Sequence, residues 1–346
     1  MRQGQHYNQA AYTGRFHGIT NFESNPGREI PVRVIETKKI LELKNNQFSK
    51  NELKEQLKLL VIEKAAEKIF SGTFLLKSVE EKEEIGLLED KFLSSCDQYP
   101  FEDLFNKNSK IFDLTADYFS LHEARNLENF SFVKKQINIF LNSNQNINEF
   151  IENTYFFNEL NTKNQKDFVK KCLKELKNQK IIKNNQLFQK KIKEIFNFIY
   201  VIVWKKLKMN FQQKNWFVIE LGTCMGTGNN LVLNFKKPLY KNYKEICSYL
   251  WLPSQIKEII DNSVIIFVGD NKIALGANIK IEDFPIDLFV ENYNYIHRFL
   301  TSLCLAHSYK YIIITDDLQL DFLINAFALD FEAFIKGIEE TNLILD

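Results

Sequence analysis

The sequence predicts an α+β protein with a β-sheet core formed by an N-terminal strand and the C-terminal region, and a large helical region inserted between them. Apolar and charged residues alternate with a period of two over 30–38, the spacing of a strand. Helical periodicity then holds across 46–214, and strand and hairpin signals return from Trp216. A strand or two cannot build a core alone. Residues 1–45 are therefore expected to join the sheet of 215–346, with 30–38 pairing onto strands from 216–281.

Each element follows from local signals. Residues 1–25 read as an irregular arm, Pro26-Gly27 as a turn and Ile30–Lys38 as a strand. Val32 and Val34 alternate with Arg33, and Glu36 and Lys38 continue the Val face. Ser49-Lys-Asn-Glu52 has the spacing of a capping box and opens a helix predicted to reach Phe70, where Gly72 stops it. An acidic helix is expected over Val79–Asp90. Past Tyr99-Pro100 come helices near 101–107, 113–126, 130–142 and 146–159, then Asp167–Asn178 and Asn185–Met209. Trp216–Leu221 and Asn230–Phe235 read as strands around a Gly-rich loop, and Gly269-Asp270-Asn271 as the turn of a hairpin. A helix over Pro285–His307, a strand over Tyr309–Thr315 and a helix over Leu318–Glu340 close the chain.

A chain of 346 residues can bury a large core, and 45% apolar content excludes a wholly disordered protein. With 31 Phe, the interior should be rich in that residue. The N-terminus has no signal-peptide core, and the longest apolar run, Phe198–Trp204, is too short to cross a bilayer. These features predict a soluble, cytoplasmic protein that does not engage a membrane. Five scattered Cys without a CxxC pair argue against a disulfide framework or a Cys-based zinc site and predict buried thiols.

Chemistry concentrates at the N-terminus. The chain has six Arg against 39 Lys, yet Arg2, Arg15, Arg28 and Arg33 all lie in the first 38 residues, with His6 and His17 among them. Arg offers a planar bidentate fork where Lys offers a point charge, and phosphate or carboxylate sites use the fork. The candidate catalytic set is therefore Arg15, His17, Arg28, Arg33, Glu36 and Lys38. The plainer reading is that Arg residues in a Gly/Pro-rich arm tie the loop to neighbouring carboxylates. Glu36-x-Lys38 resembles the terminal half of the (D/E)xK signature of restriction-type nucleases. That resemblance implies a carboxylate on Mg²⁺ and a Lys that polarises the attacking water. The family's upstream carboxylate would fall to Glu23 or Glu29.

Charge is segregated along the chain. From Lys163 to Lys214 there are 15 Lys against three acids, and from Ile281 to Asp346 there are 12 acids against three bases. The basic block is a candidate polyanion footprint, with Lys190, Lys191 and Lys193 as expected nucleic-acid contacts. Mutual neutralisation of the two segments is the alternative. Glu220-Leu-Gly222-Thr-Cys-Met-Gly226-Thr-Gly228 resembles the acidic-x-Gly-x-Gly-x-Gly loop of S-adenosylmethionine-dependent methyltransferases, which implies that cofactor. Read without the resemblance, Gly222, Gly226 and Gly228 can bring backbone amides to nucleic acid or form a plain β-turn.

His122 with Arg125 and His297 with Arg298 can pair an acid/base with an anion clamp, or sit as ordinary helix residues. Asp316-Asp317 reads as a helix cap. P-loop, HExxH, GxSxG and zinc-ligand spacings are missing from the sequence. These features together predict a nucleic-acid-binding protein, DNA before RNA, acting on DNA as a restriction or other defence enzyme by strand cleavage or base excision. Mg²⁺ is the candidate cofactor, and a homo-oligomer is a candidate assembly. A methyltransferase and a non-catalytic binding subunit are the rival classes.

Overall fold

The computed structural model describes residues 31–36, 39, 50–61, 79–124, 127–178, 186–220, 232–235, 247–267, 272–306 and 311–314. Strand β1 (Pro31–Glu36) is the middle strand of a three-stranded antiparallel sheet, between β2 (Lys58–Val61) and β7 (Tyr311–Ile314). Its register sets Arg33 opposite Leu59 on one side and Ile314 on the other. The N-terminal strand thus joins the C-terminal region, as the sequence predicts. Among the described residues, however, it does so through β7 and not through strands of 216–281. The long helix expected from Ser49 is also shorter. Helix α1 (Lys50–Glu55) ends after six residues, and the Leu-Leu-Val run that follows pairs with β1 instead. Pairing across a sheet overrides a weak helical preference. Val34 and Ile35 are adjacent yet both fully buried. Because successive strand side chains point to opposite faces, β1 is covered on both.

The inserted region is helical as expected, comprising α2 (Val79–Gln98), α3 (Phe101–Leu104), α4 (Phe112–Ala124), α5 (Leu127–Leu141), α6 (Ile147–Asn153), α7 (Lys163–Asn178) and α8 (Gln186–Gln213). Asn146 caps α6 by accepting from the Asn148 amide at 2.8 Å. The helix predicted to reach residue 159 stops at Asn153, where Phe156 takes a left-handed φ of 72° and buries its ring before a short 3₁₀ turn. Thr162 and Gln165 exchange bonds between side chains and amides, a capping box that starts α7.

Helices α4 and α8 run antiparallel along a polar seam. Lys208 donates to Asp113 (2.9 Å) and Asp117 (2.6 Å), Trp204 Nε1 donates to the Asp117 carbonyl (3.0 Å), and Gln212 reaches Asp113 (2.6 Å). Burial pulls the Lys208 ammonium down, but its bonds to Asp117 and Asp113 outweigh this and hold it above the usual lysine value.

The second sheet is antiparallel in the order β3 (Asn215–Glu220), β6 (Lys272–Ala277), β5 (Val264–Phe267), β4 (Val232–Asn234), so the predicted hairpin is the β5–β6 pair. Helix α8 leads straight into β3, where Trp216 folds back to donate to the Phe211 carbonyl at 3.0 Å. Its ring lies over Gly276, where a Cβ would stand 2.7 Å from the indole, so the strand needs glycine there. Helices α9 (Cys247–Leu250) and α10 (Ser254–Asp261) precede β5. The helix expected over Pro285–His307 is two, α11 (Ile286–Glu291) and α12 (Tyr293–Ala306), because Asn292 bonds back to the Leu288 carbonyl at 2.9 Å and ends the first.

Phenylalanine fills the interior as its abundance predicts: Phe92 stacks on Tyr118 at 3.9 Å and Phe140 on Phe150 at 4.6 Å. Cys172 is a buried free thiol whose pKa is pushed up chiefly by that burial. Among the described residues no helix is long and apolar enough to cross a membrane.

Candidate functional site

The most coherent charged surface is on α7. Lys163, Lys166, Lys170, Lys174 and Lys177 are spaced three, four, four and three residues apart, which at about 100° per residue confines them to a sector of about 80°. The ladder is about 21 Å long at about 1.5 Å rise per residue. Val169, Cys172, Leu173 and Leu176 are buried on the adjoining face and fix the helix to the core. Lys171 widens the basic face, and Asp167 is the exposed acid within it. Among the described residues, no carboxylate comes within ion-pair distance of these six lysines. Lys177 lies over the Phe140 ring, 4.9 Å from its centroid.

The lysines of α8 are placed differently. Lys191 bonds both Glu175 of α7 and Glu194, each at 2.9 Å. Those two hydrogen bonds, Glu194 first, hold its ammonium well above the usual lysine value, and the bond from Lys191 holds Glu175 below the usual carboxylate value. Lys206 pairs with Glu159 and Lys208 with its two aspartates. Of the three lysines expected to contact nucleic acid, Lys190 is exposed, Lys193 half-buried and Lys191 tied between helices. The Lys191–Glu175 tie docks the start of α8 on a face of α7 other than the ladder's.

Most of the N-terminal candidates, Arg15, His17, Arg28 and Lys38, lie outside the described residues, as do Gly222, Gly226, Gly228 and Arg125. Arg33 is half-buried on β1. Glu36 accepts from Lys58 of the neighbouring strand at 2.8 Å, a cross-strand ion pair. Arg33 and Glu36 are three residues apart on one strand and so leave it on opposite faces. The structure does not bring them together. Among the described residues, no group of three or more His, Cys, Asp or Glu is arranged to hold a metal ion.

Sequence reasoning passed over a buried polar junction at the C-terminal end of α4. Glu123 is 5% exposed and accepts from Asn234 Nδ2 of β4 at 2.7 Å. Asn129 of α5 donates to the main-chain carbonyls of Glu123 and Ala124, closing the end of α4. Burial first, then Glu123 and Glu159, push the Tyr155 phenol up to about 12. Ser120 Oγ, Tyr200 Oη and both amide atoms of Asn197 are buried and make no hydrogen bond among the described residues. The signal available in the sequence was Asn197 within the apolar face of α8. No protein-family model, curated protein or solved structure matches this chain.

Proposed function

We propose that this chain binds nucleic acid, duplex DNA before RNA, along the lysine ladder of α7. The observation that supports this is the ladder's lack of carboxylate partners among the described residues, in a fold that pairs Lys191, Lys206 and Lys208. A straight row about 21 Å long matches the rise of about six phosphates on one strand of B-DNA at about 3.4 Å each. Contacts of that kind position a backbone and carry no sequence information. Fluorescence anisotropy with mixed-sequence duplex DNA and with RNA tests the proposal. Affinity should fall steeply with salt as condensed counterions are released. Absence of binding at low salt would remove the reading.

Action on the bound DNA, as in a restriction or defence enzyme, is the second reading. What favours it is that β1, which follows the Arg-rich stretch in sequence and carries Arg33 and Glu36, is the central strand of its sheet. Incubation with DNA, with and without Mg²⁺, should then give breaks or alkali-labile sites that Arg33→Lys abolishes while the fold persists. Intact DNA in every case leaves a binding subunit.

A further inference from the structure

A second surface, of opposite charge to the ladder, lies on the C-terminal part of the fold. Leu250, Trp251, Ile286, Val290, Tyr293 and Tyr295 are large apolar or aromatic side chains, all exposed; Trp251 is 50% and Val290 58% accessible. They sit on elements packed against each other. Helix α12 contacts both α9 and α11, and the Trp251 and Tyr295 rings meet edge to face at 5.8 Å. The charged groups around them are mostly acidic: Asp287 and Glu291 on α11, Glu258 on α10, and Glu282 and Asp283 just before α11 are all exposed. Lys257 donates to the Leu250 carbonyl at 2.8 Å beside the Tyr249 ring. A face of this kind, with Trp and Tyr anchors inside a charged rim, has the anatomy of a protein interface. Its acidic rim repels nucleic acid.

The chain itself carries the complementary surface. On α8, Val201, Lys205 and Met209 are exposed at four-residue spacing, which aligns them in one outward stripe. Met209 is 60% accessible. Phe168 of α7 is exposed beside this stripe, its ring 4.5 Å from Phe198 of α8. Apolar anchors set about the Lys205 ammonium thus stand on one surface, and apolar anchors set among carboxylates on the other.

We infer that the α9–α11–α12 face docks the outward stripe of α8 on a second copy of the chain, head to tail. The apolar centres exclude water from each other, and the Lys205 side meets the Asp287 and Glu291 side, a pairing that salt screens. The contact is heterologous, so each copy retains one unused half of it and assembly continues beyond a dimer unless a ring closes. The lysine ladder lies on a different sector of α7 from Phe168, so DNA binding and assembly use separate residues.

Sedimentation velocity on the full chain tests this. The wild type should grow in mass with concentration at low salt and shrink toward the monomer at about 0.5 M salt, where the Debye length is about 4 Å. Trp251→Glu, Val290→Glu and Met209→Glu should each stay monomeric with unchanged circular dichroism. The side chains concerned are exposed, and two variants on the acidic face guard against one of them misfolding. Mixing Trp251→Glu with Met209→Glu should give a dimer that grows no further, since each supplies the half the other lacks. Lys166→Glu/Lys170→Glu/Lys174→Glu should assemble like the wild type, so loss of DNA binding and loss of assembly are read separately. A wild type monomeric at every concentration overturns the inference. So does an assembly that Met209→Glu leaves intact, or a mixture of the two monomeric variants that fails to pair.

Discussion

Helices α7 and α8 are consecutive, lysine-rich and packed antiparallel, yet their ammonium groups meet different surroundings. Those of α7 stand along an outer edge with no carboxylate in reach among the described residues. On α8, Lys191, Lys206 and Lys208 each end on an acid belonging to a neighbouring helix or turn. Local charge counts treat the two helices alike. What separates a binding lysine from a structural one is the acid that packing brings to it, and that acid is distant in sequence: Asp113 and Asp117 lie more than 90 residues from Lys208.

The contrast predicts a separation of effects. Reversing three rungs of the ladder, as Lys166→Glu/Lys170→Glu/Lys174→Glu, should weaken DNA binding at least a hundredfold, about 2.8 kcal/mol. It should also lower the salt slope by about 2.7, at about 0.9 for each phosphate left without its lysine. The thermal midpoint should hardly move. An unchanged slope in anisotropy titrations would show that the ladder does not touch phosphate.

The inner end of the α4–α8 seam offers a test of opposite signs. Asn234→Leu removes the amide that serves the buried Glu123 carboxylate and should lower stability by about 1–3 kcal/mol in urea titration. Asn197→Leu, of similar volume, removes a buried amide that makes no hydrogen bond among the described residues. It should be neutral or stabilising. A loss at Asn197 as large as that at Asn234 would mean the two amides serve equivalent roles.

Much of the architecture was legible because it rests on short-range signals. The two-residue alternation around Val34 and the Gly269-Asp270-Asn271 signal between β5 and β6 each declare an element locally, whereas the Thr162/Gln165 cap went unread and α7 begins at Lys163, four residues before the expected Asp167. Long-range partnership was not legible. Nothing in Leu59-Leu60-Val61 marks it as a strand until β1 lies beside it, and the choice of β7 as the other partner is set by packing on both faces of Val34 and Ile35. The same limit governs the site. The lysine block was visible as composition, but the helix edge that aligns five of its members requires knowing which α7 residues are buried. The Glu123–Asn234 hydrogen bond joins residues 111 apart and carries no motif at all.

Lys208→Met sharpens the comparison from the α8 side. The side chain is half-buried between two helices and neutralises two aspartates, so its loss should destabilise the fold by about 1 kcal/mol, the upper range for a partly exposed ion pair. DNA affinity should not change. A variant that lost affinity while keeping its stability would move Lys208 to the binding surface and erase the distinction between the helices.

The smallest effect is a pH dependence at the tie between the two helices. Glu175 has its folded pKa lowered by the hydrogen bond from Lys191. A group depressed in this way contributes stability above its unfolded pKa, and that contribution fades as pH falls through the folded value, because the unfolded chain then binds the proton more readily. Lys191 is raised by Glu194 and Glu175, so its share is present below the unfolded lysine value and fades only as pH rises through the folded one. Between those limits the tie is flat with pH. Lys191→Met removes the proton linkage of Glu175, so the acid limb of a plot of thermal midpoint against pH should become shallower than in the wild type while the neutral plateau drops slightly. The α7 ladder has no such carboxylate partners among the described residues, and Lys170→Met should leave the acid limb unchanged. Equal changes in the two variants would mean that the acid limb reports net charge alone, with no share belonging to the paired lysine.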